Sequence, residues 1–507
     1  MAAMKQSDGV SLSALLADMA DELPAVKVHN ITSDSRLVTP GTLFLACRGV
    51  GGHGLEFLSA ALEAGAAVVA WEPEEGLVEP KIPASVVSVP VSDLGDKVGL
   101  IADRFFAQPS AAMNLAGITG TNGKTTVAWL VSQALSLLAG RTAYMGTLGY
   151  GVLPELKPSA LTTPGCIAVH RRLRELLDQQ VSGAVLEVSS HALDQGRIDG
   201  VRLNIAAFTN LSRDHLDYHG DLDAYKAAKA SLFSVSSLEA AVINVGDSFG
   251  AQLAGELDGD LRVFTVALAG SSVNAVNSTV DLLADYSESP DGLQLDLSGA
   301  FGEAQLVSSL AGIFNAENLL VATGLIVAQG YTLGQAITAL QAVTPPPGRM
   351  QRISAPADAP TVFVDFAHTP DALAKVLESV KAHYNGKLIC VFGCGGDRDQ
   401  GKRGQMGAIA AQYADHVVVT NDNPRSEDPQ QIMDDIVAGM DAGASYEVIP
   451  DRAAAITAAV CQGVAEDVVV IAGKGSENVQ IIGDKTTKFS DADVAAKALA
   501  SASGGAS

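Results

Sequence analysis

The chain is poor in cysteine, in tryptophan and in positive charge. Its 507 residues include five cysteines, two tryptophans, and 33 lysines and arginines against 57 aspartates and glutamates. Because the cysteines are odd in number and scattered, we expect reduced thiols rather than a disulfide framework. The net charge of −24 disfavours nucleic acid or an anionic membrane surface as the main partner, since both repel an acidic chain.

Long apolar runs are also missing. No segment approaches the roughly 20 apolar residues that a helix needs to cross a bilayer. The first residues carry acids inside their apolar stretch, unlike a cleavable signal peptide. We therefore expect a cytoplasmic protein. Its apolar fraction of 48% is that of an ordinary core-forming chain, and its length suggests about three domains.

Patterning divides the chain into three blocks. Residues 1–112 alternate short strands with a helix and predict a small α/β domain. Residues 113–346 begin with a glycine-rich loop and become more β-rich towards their end, which predicts a mixed sheet. Three consecutive prolines, 345–347, mark a stiff linker. Residues 347–507 alternate apolar runs with helical patterns, which predicts a doubly wound parallel sheet.

The most informative segment is the stretch 114–126, NLAGITGTNGKTT, which precedes an amphipathic helical pattern. An apolar strand, a glycine loop and a helix are the context in which backbone N–H groups and a helix N-terminus bind phosphate. The spacing departs from G-x-x-x-x-G-K-[ST], because Ile118 stands where that pattern has glycine. A glycine turn with a chance lysine is the alternative. On the phosphate-loop interpretation, Lys124 reaches the β/γ-phosphates and Thr125 binds Mg²⁺.

Other polar segments follow apolar runs at their carboxyl ends, where open α/β sheets bind ligands. Glu187 ends one run, and an unpaired buried carboxylate costs on the order of several kcal/mol. We expect it to pair with a cation or Mg²⁺, unless it is exposed or forms a structural ion pair. His215 lies in a second loop, as a neighbour of Mg²⁺ or phosphate or as a surface histidine. From the residues alone, Lys229 is a solvated helix lysine.

Two further loops carry charges that suit a polar ligand. Arg398, Lys402 and Arg403 follow a glycine turn and form a cationic cluster in an acidic chain. Such a cluster should bind a carboxylate or a phosphate. Asp422 and Arg425 belong to an Asp-Asn-Pro-Arg sequence, in which the first can bind an ammonium group and the last a carboxylate. An Asx turn with an exposed arginine is the alternative.

In their order and spacing, these motifs resemble the Mur ligase family over nearly the whole chain. The segments that carry the resemblance are TSDSR (32–36), GTNGKTT (120–126), LTTP (161–164), EVSSH (187–191), NLSRDH (210–215), LAGIFN (310–315), PGRM (347–350), DFAHTP (365–370), GCGGDR (393–398), DNPR (422–425) and GKGSE (473–477). The resemblance implies three α/β domains and ATP-dependent amide ligation through an acyl phosphate. It points to members that add the third residue of the peptidoglycan stem peptide. The implied substrates are UDP-N-acetylmuramoyl-L-Ala-D-Glu and meso-2,6-diaminopimelate.

The resemblance also implies roles for individual residues. The residues of this chain that it implies bind the nucleotide are Gly120, Thr121, Asn122, Gly123, Lys124, Thr125, Thr126, Asn315, Asn318, Arg349 and Asp365. Its catalytic positions are Lys124, Glu187, His215 and Lys229, and its Mg²⁺ ligands are Thr125, Glu187, His215 and carbamylated Lys229. A neutral lysine amine and CO₂ give an anionic carbamate, which binds Mg²⁺ as an ordinary lysine does not.

The implied substrate positions fall into three groups. The uridine diphosphate end would contact Ser33, Ser35, Val50, Gly51 and Gly52. The muramoyl-dipeptide part would contact Leu161, Thr162, Thr163, Ser189, Gln195 and Arg197. The amino acid would contact Arg398, Asp422, Asn423, Pro424, Arg425, Gly473 and Glu477. Arg425 favours diaminopimelate over lysine, because only the former has a second carboxylate to pair with it. Phe366 and Ser476 depart from the usual Tyr and His of the family.

Several other functions remain as alternatives. They are a lysine-adding sibling ligase, folylpolyglutamate synthetase, a P-loop phosphotransferase or switch NTPase, and an inactive nucleotide-binding module. The N-terminal block and the Asp-Asn-Pro-Arg sequence argue against folylpolyglutamate synthetase, and the third α/β domain argues against a switch NTPase. We expect a monomer that acts on small molecules, without a nucleic-acid or membrane partner.

Overall fold

The computed structural model describes residues 9–20, 22–49, 52–257, 259–271, 280–289, 292–356 and 358–503. The elements of the first 112 residues are β1 (Val10–Ser11), α1 (Leu12–Leu15), β2 (Lys27–Val28), β3 (Asn30–Thr32), β4 (Thr42–Ala46), β5 (Arg48–Gly49), β6 (Gly52–His53), α2 (Leu58–Glu63), β7 (Ala66–Trp71), β8 (Val87–Pro90) and α3 (Leu94–Phe105).

The elements from residue 113 to residue 346 are β9 (Asn114–Thr119), α4 (Lys124–Ala139), β10 (Thr142–Gly146), β11 (Gly149–Val152), α5 (Cys166–Asp178), β12 (Gly183–Glu187), α6 (Ser190–Asp194), β13 (Ile205–Phe208), α7 (Leu216–His219), α8 (Leu222–Ala230), β14 (Ala240–Asn244), α9 (Ser248–Glu256), β15 (Arg262–Leu268), β16 (Leu282–Ser289), β17 (Gly292–Gly299), β18 (Ala304–Ser308), α10 (Ile313–Ala328) and α11 (Leu333–Gln341).

The elements of the remaining residues are β19 (Gln351–Ile353), β20 (Thr361–Asp365), α12 (Pro370–His383), β21 (Leu388–Phe392), α13 (Lys402–Tyr413), β22 (His416–Val419), α14 (Pro429–Val437), β23 (Tyr446–Val448), α15 (Arg452–Gln462), β24 (Val468–Ala472), β25 (Val479–Ile482), β26 (Lys485–Lys488) and α16 (Asp491–Ser503). Within the described ranges, no helix combines the length and the apolar character that crossing a bilayer requires.

These elements form two compact units. The first comprises Met1–Gly117, Ala139–Asn204 and Ser234–Leu238, and the second comprises Ile118–Leu138, Ile205–Phe233 and Glu239–Ser507.

The first unit contains a four-stranded parallel sheet in the order β3-β4-β7-β8. Every residue of β4 is buried, as is typical of a parallel strand covered on both faces. Leu43 and Leu45 pack in a cluster with Ile101 of α3 on one face, while Phe44 packs with Trp71 on the other. In the same unit, β10 pairs in parallel with β12 and antiparallel with β11. The small N-terminal α/β fold is therefore confirmed.

The second unit contains a mixed sheet. Strands β13, β14, β15 and β16 run parallel in that order, and β17 and β18 continue the sheet antiparallel. Helix α10 is almost entirely buried against these strands. The mixed sheet predicted for the central block is confirmed; part of its β-rich end, 272–279 and 290–291, lies outside the described residues.

A second sheet of this unit has the order β19-β20-β24-β21-β22-β23. Its strands are parallel except for β19, which runs antiparallel to β20. Helices α12, α13 and α14 follow one another on one face, and α15 and α16 pack together on the other. The predicted doubly wound sheet is confirmed. Strand β24 lies between β20 and β21, and the three strands run parallel. The loops that follow them therefore leave the sheet at the same edge, where the strand order reverses.

Candidate active site

The glycine loop connects β9 to α4 inside the second unit. Gly120 and Gly123 have φ values of +147° and +87°, a region that favours glycine. A Cβ atom on Gly123 would lie 2.2 Å from Oδ1 of Asn318, so any side chain at position 123 would also clash with Asn318. Helix α4 begins at Lys124. The loop thus directs its backbone and a helix N-terminus towards the same point, as phosphate binding requires.

A neighbouring loop, 209–215, holds the glycine loop in place. The backbone N–H groups of Thr121 and Asn122 donate to the backbone oxygen and to Oδ1 of Asn210, at 2.8 and 2.9 Å. The Thr121 hydroxyl accepts from the N–H of Ser212 and is hydrogen-bonded to the Tyr225 hydroxyl, 3.1 Å away. Tyr225 was not expected from the sequence, because an isolated aromatic residue on a helix usually indicates core packing.

Two lysines converge on one carbonyl. Nζ of Lys124 donates to the oxygens of Gly120 and Thr121, at 2.7 and 2.8 Å, and Nζ of Lys229 donates to the same Gly120 oxygen at 2.8 Å. Lys229 is buried, unlike a solvated helix lysine. Burial, and next the charge of Lys124, hold the pKa of the Lys229 amine well below its usual value. This environment favours an uncharged amine.

His215 is the residue directly before α7. Its φ of 53° is left-handed, a strained conformation for a residue with a side chain and one that is common at functional sites. Its ring Nε2 is 3.4 Å from a carboxylate oxygen of Asp214, and the ring meets Tyr225 edge to face.

A small cavity of about 80 Å³ opens next to the glycine loop in the second unit. Asn122, Gly123, Thr126, Asn315, Asn318, Arg349 and Asp365, all singled out by sequence, line it, together with Asn210, Phe314, Glu317, Phe366, Ala367, His368, Ala372, Lys375 and Val376.

The polar residues of the small cavity are held by the protein. Nδ2 of Asn318 donates to Oδ1 of Asn315 at 3.0 Å. The carboxylate of Asp365 accepts from the N–H groups of Met350 and Ala367, at 2.6 and 2.8 Å. Burial raises the pKa of Asp365, while Arg349 and these two hydrogen bonds oppose the rise. The side chains are therefore oriented by the fold itself.

A large cavity of about 620 Å³ lies at the carboxyl edge of the six-stranded sheet. Its volume falls within the range of small-molecule sites. Six of the seven predicted amino-acid-binding residues line it, namely Arg398, Asp422, Asn423, Arg425, Gly473 and Glu477. The titratable residues that line it with them are Arg213, Asp214, His215, His368, Asp371, Asp399 and Lys402. Cations and carboxylates thus line one space.

Buried hydrogen bonds fix part of this wall. Nζ of Lys474, which is fully buried, donates to Oδ1 of Asn423 and to Glu477, at 3.1 and 2.8 Å. Nδ2 of Asn423 donates to the same Glu477 carboxylate at 2.8 Å. Nη1 of Arg425 donates to the oxygen of Gly396 at 2.6 Å, and φ of Arg425 is 54°.

One buried ion pair supports the loops on two sides of the cavity. The side chains of Arg452 and Asp491 are fully buried, 2.7 Å apart. The Arg452 guanidinium also donates to the backbone oxygens of Asn421 and Ala472, which directly precede Asp422 and Gly473. The pair was not predicted, since the two residues lie 39 positions apart and belong to no local motif.

Two residues that the sequence analysis singled out, Arg403 of the cationic cluster and Pro424 of the amino-acid set, are not among the residues that line the large cavity. Arg403, which the sequence grouped with Arg398 and Lys402, is buried and contacts Glu427 and Asp435, at 2.8 and 2.9 Å. Its side chain therefore serves the packing of α13 rather than the cavity. Pro424 turns the chain, and its carbonyl accepts from the N–H of Glu427.

In the first unit, Glu187 is buried at the end of β12. Its carboxylate accepts a short hydrogen bond from the Tyr144 hydroxyl, and further ones from the N–H and hydroxyl of Thr147, at 3.0 and 3.1 Å. Hydroxyl and amide donors thus stabilise a carboxylate for which the sequence suggested a cation or a metal. Tyr144 lies 43 residues earlier, and no sequence signal marks it.

The predicted dipeptide-binding residues lie beside Glu187 and are connected. The Thr162 hydroxyl is 3.0 Å from that of Thr147. The buried Thr163 hydroxyl donates to the Glu187 backbone oxygen and accepts from the N–H of Ser189, at 2.7 and 3.1 Å. Arg197 donates to the Thr163 backbone oxygen and to Oε1 of Gln195, while Leu161 is 49% exposed at the edge of this group.

The predicted uridine-diphosphate residues lie elsewhere in the first unit. Ser35 begins a short 3₁₀ turn that Asp34 caps, and Ser33 is exposed just before it. Gly52 pairs with Gly49 in the β5–β6 ribbon. Val50 and Gly51 lie outside the described residues.

Known proteins match nearly the whole chain. The models described as "Mur ligase family, catalytic domain", "Mur ligase middle domain" and "Mur ligase, glutamate ligase domain" match residues 27–106, 118–326 and 348–475. A UDP-N-acetylmuramoyl-L-alanyl-D-glutamate–2,6-diaminopimelate ligase from Alkalilimnicola ehrlichii is 45% identical over 487 residues, which cover 95% of this chain and 96% of that protein.

Two solved structures extend the comparison. The structure of a UDP-N-acetylmuramoyl-L-alanyl-D-glutamate–2,6-diaminopimelate ligase has a TM-score of 0.70 and 36% sequence identity, and covers 97% of this chain and 99% of that one. Folylpolyglutamate synthase of Mycobacterium tuberculosis, complexed with ADP and AMPPCP, has a TM-score of 0.59 and 21% identity. The match covers 73% of this chain and 91% of the synthase chain. At this identity the comparison shows a common fold and nothing more.

Proposed function

Because the chain belongs to the Mur ligase family, we propose that it joins meso-2,6-diaminopimelate to the D-glutamate carboxylate of UDP-N-acetylmuramoyl-L-alanyl-D-glutamate, with cleavage of ATP to ADP and phosphate. The chain is an ATP-dependent ligase of peptidoglycan precursor synthesis. The observation that carries the substrate proposal is the large cavity, in which separate cations and carboxylates face one space.

The charges of the large cavity complement diaminopimelate. That amino acid carries two ammonium and two carboxylate groups, and it therefore needs both anionic and cationic partners. Arg398 and Arg425 supply planar guanidinium groups for carboxylates. Asp422 and Glu477 supply acceptors for ammonium groups. Lysine lacks the second carboxylate, so its binding would leave one of the arginines without that partner.

The chemistry requires activation of a carboxylate, which is a poor electrophile until one of its oxygens becomes a good leaving group. We assign transfer of the ATP γ-phosphate to the glycine loop, where Lys124 neutralises charge on the phosphates. Asn315, Asn318, Arg349 and Asp365 would bind the rest of the nucleotide. Positioning and charge neutralisation then provide most of the rate enhancement.

The residues present suit Mg²⁺, which prefers oxygen ligands and supplies charge neutralisation on phosphates. We propose Thr125, Glu187, His215 and carbamylated Lys229 as its ligands. The buried Lys229 amine with its lowered pKa is the uncharged form that reacts with CO₂. Within the part of the chain that the structure describes, no three His, Cys, Asp or Glu side chains group as a metal site, so hydroxyl and carbamate oxygens would complete the set.

The sugar nucleotide would bind to the first unit. The connected group of Thr162, Thr163, Ser189, Gln195 and Arg197 offers hydroxyl, amide and guanidinium donors to the muramoyl dipeptide. The residues Ser33, Ser35, Val50, Gly51 and Gly52 would contact the uridine diphosphate. We place the enzyme in the cytoplasm as a monomer without a nucleic-acid or membrane partner, and the net charge of −24 supports the last two points.

Phosphate release from ATP tests the proposal. We expect release only when both UDP-N-acetylmuramoyl-L-Ala-D-Glu and meso-diaminopimelate are present, with the tripeptide nucleotide detected by mass spectrometry. Equal turnover with L-lysine would contradict the role of Arg425 and favour the lysine-adding sibling. Turnover with neither amine would overturn the assignment, and folate plus glutamate serves as the control for folylpolyglutamate synthesis.

A further inference from the structure

His368 is the titratable residue that borders both cavities of the second unit. It lies on the loop between β20 and α12, three residues after Asp365. Its ring packs edge to face on Phe366, with the ring centroids 4.6 Å apart. Phe366 is the other residue that the two cavities share. If the small cavity holds the nucleotide and the large one the amino acid, His368 stands where the two substrates meet.

The surroundings of the ring fix the position of its proton. Nδ1 of His368 is 2.8 Å from the backbone oxygen of Phe366. A carbonyl oxygen can only accept, so Nδ1 carries the hydrogen and Nε2 carries the lone pair. Nε2 is therefore the basic atom of a side chain that is anchored at its other nitrogen.

Burial and neighbouring charges keep this ring neutral. Burial first, and then the charges of Lys402 and Arg349, lower the pKa of His368 to about 4, while the Phe366 carbonyl and Asp214 oppose the shift. The free enzyme thus presents an unprotonated Nε2 throughout the neutral range. Anionic phosphates and substrate carboxylates in the two cavities would raise the pKa towards the value that suits proton transfer.

The ligation needs such an acceptor. The ammonium group of the incoming amino acid loses two protons as it becomes an amide nitrogen. The C–N bond forms, the C–O bond to phosphate breaks, and the departing phosphate takes one proton to leave as HPO₄²⁻. The other proton must pass to a base next to the attacking nitrogen, since the ammonium form has no lone pair with which to attack.

We propose that Nε2 of His368 accepts this proton from the attacking amine. The inference rests on the proposed function and adds to it the base of the amide-forming step. His368 belongs neither to the predicted nucleotide-binding residues nor to the predicted amino-acid-binding residues, yet it lines both cavities.

Lys402 acts as a positioning residue for this base. Its Nζ donates to the backbone oxygen of His368 at 2.8 Å, and its side chain also lines the large cavity. The contact joins the start of α13 to the loop that carries the histidine, and it holds that loop against the cavity.

The test compares two nucleophiles on His368→Asn. Asparagine retains a donor near Nδ1 and removes Nε2. Coupling of meso-diaminopimelate should fall by about 10²–10⁴-fold, the usual effect of removing a general base. Hydroxylamine, which is already neutral near neutral pH, should trap the acyl phosphate as a hydroxamate at a rate close to that of the unaltered enzyme. The coupling defect should shrink as the pH rises, because more of the amine is then neutral in solution.

His416→Gln is the matched control, because His416 lies on β22, contacts Ser445 and Glu447, and should retain both reactions. If His368→Asn does not fold, as judged by circular dichroism, His368→Gln replaces it. Undiminished coupling of diaminopimelate, or an equal loss of both reactions in a folded variant, would overturn the role of His368. If the unaltered enzyme forms neither amide nor hydroxamate, the proposed function fails first and this inference fails with it.

Discussion

The guanidinium of Arg349 donates to the hydroxyl of Thr125, 3.2 Å away, across 224 residues of sequence. The same guanidinium lies 4.4 Å from the ring centroid of Phe366. The second residue after the three prolines is thereby tied to the first turn of α4 and to the loop after β20. An arginine in this position contacts both the phosphate loop and the small cavity.

Replacement of Arg349 by leucine should weaken nucleotide binding. A charged hydrogen bond contributes about 1.5–3 kcal/mol, so we expect the KM for ATP to rise on the order of 10–100-fold, with a smaller change in the KM for diaminopimelate. Steady-state kinetics with each substrate varied in turn measure both values. Arg352→Leu, on an exposed residue of β19, is the control. An unchanged KM for ATP would exclude Arg349 from the nucleotide site.

Replacement of Lys229 by alanine should abolish most of the activity, and acetate or propionate should restore part of it. A small carboxylate can occupy the space of the proposed carbamate and supply its anionic oxygens. Phosphate release with and without the added acid measures the rescue. Lys226→Ala provides the control, because Lys226 lies one turn away on α8 and pairs with Asp223 at the surface. Wild-type rates in Lys229→Ala would show that no carbamate is needed.

Replacement of Arg425 by methionine should reduce the preference for diaminopimelate over lysine. The loss of one charged partner, about 1.5–3 kcal/mol, corresponds to roughly 10–100-fold in kcat/KM for diaminopimelate, with little change for lysine. Competition between the two amines, read by mass spectrometry, gives the ratio directly. Lys488→Met, on the exposed strand β26, should leave the ratio unchanged. A preserved preference in Arg425→Met would move the specificity to another residue.

Replacement of Asp491 by alanine should destabilise the protein strongly. It would leave the fully buried Arg452 guanidinium without its carboxylate, and breaking a buried pair in this way costs about 3–5 kcal/mol. Urea unfolding, followed by far-ultraviolet circular dichroism, measures the loss in the free energy of unfolding. Because Arg452 also holds Asn421 and Ala472, the KM for diaminopimelate should rise too. Asp493→Ala, on the same helix, is the control and should change neither quantity.

Local patterns predicted the parts of the site that are continuous in sequence. The strand, loop and helix of 114–139 follow from apolar spacing, glycines and the lysine, and the structure has them as β9, the glycine loop and α4. The doubly wound sheet likewise follows from alternating apolar runs. The individual roles of the site residues stay predictions, which the variants above test.

Contacts between distant residues were beyond local patterns. Nothing in the neighbourhood of Tyr144 indicates that its hydroxyl donates to Glu187, and nothing near Lys229 indicates its burial. Both depend on how strands and helices pack, which a single sequence does not encode locally. The departure at Phe366 is explained by packing as well, because the face of the ring, which Tyr and Phe share, is the part that contacts Arg349.

Phe366 and His368 border the small cavity on one side and the large cavity on the other. The two cavities therefore share part of their lining. If the small cavity holds the nucleotide and the large one the amino acid, as proposed above, one inhibitor with a purine-like group at one end and an amino-diacid at the other would occupy both. Once one end is bound, the other end binds at a high effective concentration, so a linker that passes these two rings turns two weak ligands into one tight one.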